Sequence, residues 1–78
     1  MTPNERSSIL GILRANGVKE QVEFAIPEAG DELILFVSAA DWMRVDEPSA
    51  TRQLQDALHR KVWLTTWSEV WSGRTGTL

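Results

Sequence analysis

Residues 32–38 read Glu32-Leu33-Ile34-Leu35-Phe36-Val37-Ser38, and this apolar run decides the fold. Its length, its Ile, Val and Phe content, and its bounds at Gly30-Asp31 and Asp41 predict a strand buried on both faces, which needs a neighbour on each side. Downstream, Val62 to Trp67 reads VWLTTW, a composition that favours a second strand. Between the two lies an amphipathic segment. Strand, crossover helix and strand in one sheet are parallel and right-handed in nearly all cases, so the VWLTTW strand is expected beside the ELILFVS strand.

Upstream, Thr2-Pro3-Asn4-Glu5 has the form of a capping box, with proline at the first helical position. Ile9, Ile12 and Leu13 then fall on one stripe, widened by Leu10. Asn16-Gly17 supplies the left-handed residue that ends many helices, which predicts a helix from Pro3 to about Asn16. From Val18 to Ile26 the chain alternates. Val18, Val22, Phe24 and Ile26 share one side, Lys19, Gln21 and Glu23 the other, and Glu20 interrupts the apolar side, as expected for a half-buried edge strand. Pro27 to Asp31 has turn chemistry, so this strand and the next should form an antiparallel hairpin.

After the central strand, Ser38 to Glu47 reads as a connection of about ten residues, longer than usual for a strand-to-helix link. It would sit at the carboxyl end of that strand, where open sheets tend to bind ligands. It carries Asp41, Trp42, Met43, Arg44 and Asp46, and Trp42 and Met43 are expected to fold back over the core. Glu47-Pro48 opens the next helix. Ala50, Leu54, Ala57 and Leu58 form its apolar stripe, opposite Arg52, Gln55, Asp56 and His59, while His59-Arg60-Lys61 complements the helix dipole. Trp63, Trp67, Val70 and Trp71 are also spaced for a continuation of this helix, but Thr65-Thr66 and the branched and aromatic neighbours favour a strand. Ser68 can cap a short turn before Ser72-Gly73, and Arg74 to Leu78 reads as a flexible tail. The expected fold is therefore α+β: one domain over residues 1–73 with a tail at 74–78, elements in the order α-β-β-α-β, and a mixed three-stranded sheet of order 1-2-3 with two helices.

Composition limits what such a chain does. With 78 residues and no cysteine, one small core must hold without disulfide or thiolate-metal staples, by packing or by association. A net charge of -3 from 8 basic and 11 acidic residues is too mild to draw a polyanion by bulk electrostatics. No apolar run reaches the roughly 18 to 20 residues of a membrane span, and Met1 to Gly17 lacks the pattern of a signal peptide, so a cytoplasmic setting is expected.

No constellation of catalytic residues is recognisable. Gly11, Gly17 and Gly30 are isolated, and Ser72 to Gly76 lacks the Gly-Lys and following helix of a phosphate loop. The single histidine, His59, has no Cys or His partner for a metal and no serine motif to serve. Asp31-Glu32 and Asp46-Glu47 read as turn and capping carboxylates. The succession of helix, strand, turn, Gly30-Asp31-Glu32-Leu33-Ile34-Leu35, helix and Arg60-Lys61-Val62-Trp63-Leu64-Thr65 resembles the arrangement of elements in a minimal nucleotidyltransferase core. The Gly-Ser motif of that family is absent from Ala25 to Gly30, and Leu33 stands where its second aspartate would be. The resemblance implies an arrangement and not the activity.

The expectation is thus a non-enzymatic module without cofactor or metal, of the kind that suits an adaptor or inhibitor encoded by a phage or other mobile element. Val62, Leu64 and Thr66 should face one way and Trp63, Thr65 and Trp67 the other. If both helices cover one side of the sheet, Trp63, Trp67 and alternate residues of the Leu33 to Phe36 run stay open on the other. The expected partner-binding residues are Trp63, Trp67, Trp71, Trp42 and Arg44, acting on a protein partner or on a second copy in a homodimer. A different class, nucleotide or nucleic-acid binding, would use Arg44, Arg60, Lys61 and Arg74 near the strand ends.

Overall fold

A computed structural model of the chain describes residues 2–26, 32–66 and 74–78. The first helix, α1 (Pro3–Ala15), begins as its sequence dictates: the Thr2 hydroxyl accepts from the Glu5 amide and the Glu5 carboxylate accepts from the Thr2 amide. It ends at Asn16, and Gly17 takes a φ of 102°. Only glycine holds that angle without strain, and here it also lets the backbone of Arg44 approach, since a Cβ on Gly17 would lie 3.2 Å from the Arg44 carbonyl oxygen. Strand β1 (Glu23–Ile26) pairs antiparallel with β2 (Leu33–Val37), and β2 pairs parallel with β3 (Val62–Thr66). The expected neighbours are therefore the observed ones, and Thr65-Thr66 belong to a strand, with the preceding helix, α3 (Glu47–Leu58), closed by its cap at His59.

Three expectations are corrected. The sheet has four strands, in the order β3-β2-β1-β4, because Arg74–Thr77, read as a tail, forms β4 antiparallel to β1. Gly76 looks like a strand breaker in the sequence, yet it sits opposite Phe24, and a Cβ there would come within 2.7 Å of the Phe24 ring. The aromatic ring occupies the space that a side chain on β4 would need. Next, the connection after β2 contains a helix, α2 (Ala39–Arg44), capped by the Ser38 hydroxyl, which accepts from the Asp41 amide. Finally, β1 covers only the second half of the alternating stretch. Lys19 and Glu20 give their amides to the Asp41 carboxylate instead of to a neighbouring strand.

Leu33, Leu35 and Val37 of β2, with Val62 and Leu64 of β3, form one face of the sheet and share a single core with Ile9 and Leu13 of α1 and Ala50 and Leu54 of α3. Both long helices thus cover the same face. Phe24 and Ile26 of β1 pack against this core, as does Leu58 of α3, whereas Ala57, expected on the α3 stripe, is exposed. The other face is less open than the sequence suggests: Trp63 is half exposed, but Phe36 is only 2% exposed and Ala25 is fully buried.

Candidate interaction surface

Helix α2 is turned inside out. Its one buried residue is the carboxylate Asp41, while Ala39, Ala40, Trp42 and Met43 face outward. At about 100° per residue, Asp41 lies opposite an arc centred on Ala39 and Met43. Met43 is 88% exposed and Trp42 37% exposed, so the expectation that both fold back over the core fails outright for Met43. The cause is the appetite of Asp41 for donors.

The Asp41 carboxylate accepts from the Lys19 amide at 3.0 Å and from the Glu20 amide at 2.8 Å. One of its oxygens also lies 3.4 Å from the Arg44 guanidinium. Burial pushes the Asp41 carboxyl upward, but the two donated amides, with Arg44 and Ser38, outweigh it and hold its pKa below the ordinary carboxylate value. A buried charge satisfied in this way anchors one side of a short helix, and that orientation leaves the remaining side chains no interior to enter. The ends of α2 are tied as well. The Ser38 hydroxyl donates to the Glu20 carboxylate at the start of the helix, and the Arg44 Nε donates to the Ala40 carbonyl near its end. At the same end, the Asp46 amide donates to the Asn16 carbonyl.

Of the expected partner-binding residues, the structure puts Trp42 and Arg44 together on α2 and sets Trp63 apart. Trp63 pairs in register with Ile34, near the start of β2, whereas α2 follows the end of that strand. About three residues of strand, roughly 10 Å, separate the two levels. Trp63 is 50% exposed, and the Lys61 ammonium lies 5.5 Å from its ring centroid, within cation–π range. Trp67 and Trp71 lie outside the described residues, as do the expected turn at 27–31 and the short turn after Ser68.

The basic residues considered for nucleic acid are likewise divided. Arg44 belongs to the α2 end and is paired with Asp41. Arg60 and Lys61 precede β3 at the other end of the sheet, where Arg60 donates to the Glu32 carbonyl and lies 4.0 Å from the Glu5 carboxylate. Arg74 starts β4 at the opposite edge. No single basic stripe joins these four positions.

Among the described residues, no group of three or more His, Asp or Glu side chains is placed to hold a metal ion, and no helix is long and apolar enough to cross a membrane. The sequence offered one missed signal for α2: Ser38 stands three residues before Asp41, the spacing of a helix start, and is followed by two alanines. No protein-family model, curated protein or solved structure matches the chain.

Proposed function

We propose that this chain is a small non-catalytic protein-binding module, acting as an adaptor or inhibitor, and that α2 is its contact surface. The observation that supports this most is the exposure of Met43 and Trp42 on a helix whose only inward residue is charged. A large apolar side chain kept in water gives up about 1.5–3 kcal/mol of burial, which a partner can recover. Trp and Met are also the residue types enriched where proteins meet. Trp63, with Lys61 over its ring, offers a second and smaller apolar site on the sheet.

Photo-crosslinking tests this reading. A photoreactive phenylalanine derivative is placed at Met43 in one chain and at Arg52, exposed on α3, in a control, and both are irradiated in the cells that produce them. Protein adducts of discrete mass from position 43 and none from position 52 are expected. Equal labelling at the two positions, or no protein adduct at 43, would refute the assignment of α2 as the contact surface.

A further inference from the structure

We propose that Met43 is a reversible oxidation site, at which a hydroperoxide converts the thioether to the sulfoxide and changes the surface of α2 without disturbing the fold. The effect on binding rests on the reading of α2 as a contact surface; the oxidation chemistry does not. A methionine is oxidised where the oxidant can reach its sulfur, and thiols in the same chain divert the oxidant because the thiolate is the better nucleophile. Met43 is 88% exposed, and the chain has no cysteine. Its sulfur is therefore both accessible and without a competing thiol. The chain's other methionine, Met1, lies outside the described residues. In the reaction a sulfur lone pair bonds to one peroxide oxygen and the O–O bond breaks. The second oxygen leaves with the proton of the first, as water or, from an organic hydroperoxide, as an alcohol. Sulfur loses two electrons and the peroxide gains them. A dithiol reverses the step: it becomes a disulfide, and the oxygen departs as water.

The fold does not oppose this change. Helix α2 is held by the Asp41 carboxylate on the Lys19 and Glu20 amides, by the Ser38 hydroxyl on Glu20 and by Arg44 beside Asp41. None of these ties uses the Met43 side chain, which also lies outside the hydrophobic core. A sulfoxide in a core disrupts packing, whereas here the new S–O dipole stands in water. What changes is the surface. On the arc opposite Asp41, Ala39 and Ala40 offer little apolar area, so Met43 is its main apolar body, flanked by the less exposed Trp42. Oxidation turns that flexible apolar side chain into a polar one, and a partner seated on it loses the contact.

Hydrogen peroxide on the full chain tests the chemistry, with free methionine in the same solution as a clock and mass spectrometry of the digested protein to locate the added oxygen. Met43 should oxidise within about threefold of the rate of free methionine. The oxidised chain should melt within about 2 °C of the untreated one, and methionine sulfoxide reductases A and B together should remove the oxygen. Oxidation more than about tenfold slower than the clock, or loss of the folded circular dichroism spectrum on oxidation, would overturn the proposal. The effect on binding is read separately, in cells, from a photoreactive phenylalanine derivative at Ala39, exposed on the same arc. Met43→Gln, a neutral polar stand-in for the sulfoxide, should lower the protein adducts by at least about fivefold, while Met43→Leu should keep them. Equal adducts from all three chains would overturn the switch. No adduct from position 39 beside an intact Met43 would instead overturn the contact surface and with it the effect on binding, and the peroxide measurement then decides the oxidation site by itself.

Discussion

Asp41 trades a place in water for two backbone amides, and the rest of α2 is oriented by that exchange. Replacing it with alanine leaves the Lys19 and Glu20 amides without their acceptor, and Asp41→Ala should cost about 2–3 kcal/mol. Thermal melting would show this as a fall of roughly 4–8 °C per kcal/mol for a domain of this size. The same carboxylate makes stability depend on acid. Its folded pKa lies below its unfolded one, so its contribution is complete above the unfolded value and is lost as pH falls through the folded value. Melting temperatures measured from pH 6 downward should therefore decline below roughly pH 4 in the wild type and decline less in Asp41→Asn, which has no such proton to bind. Gly76 makes a second case at this scale. Gly76→Ala presses a methyl into the Phe24 ring and should cost about 1–2 kcal/mol, and a double-mutant cycle with Phe24→Leu should recover part of that loss. Neither role was legible in the sequence. An aspartate in a loop reads as a solvent-facing residue, and a glycine between threonines reads as a break, because the partners that give them meaning, Glu20 and Phe24, lie far away along the chain.

Elements with local signals were legible. The Thr2–Glu5 box and the Asn16-Gly17 exit bound α1, Glu47-Pro48 opens α3, and the branched runs mark β2 and β3. Elements made by distant contacts were not. The alternation from Val18 correctly placed Val18 and Val22 in the core but promised strand pairing that the 19–20 backbone spends on Asp41. The six residues of α2 are too few to display a helical stripe, and an apolar side facing water inverts the usual pattern. One consequence concerns the cap of α3. His59 holds a left-handed φ of 53°, a conformation that costs any residue with a Cβ. His59→Gly should raise stability by about 0.5–1 kcal/mol, read as a melting temperature a few degrees higher. If the substitution destabilises the chain instead, the imidazole makes a contribution that the cap geometry does not explain.

For the molecule as a whole, the sheet divides the labour. One face and two helices form the core, the opposite face is closed over Ala25 and Phe36, and among the described residues the exposed large apolar side chains are Met43, Trp63 and Trp42. The sequence foresaw both long helices on one face as the condition for an exposed tryptophan. It placed the open surface on the sheet because it had no α2 to consider. Since Met43 touches so little of its own chain, Met43→Ser should leave the unfolding free energy of a dilute sample within about 0.5 kcal/mol of wild type, where a core methionine would lose several times more. The most direct test of the account reads the methyl resonance of Met43 in methyl-labelled protein in dilute solution. The account predicts a solvent-exposed methyl, close to its random-coil position and without contacts to the core. A methyl shifted well away from that position, or one showing contacts to Leu54, would contradict it.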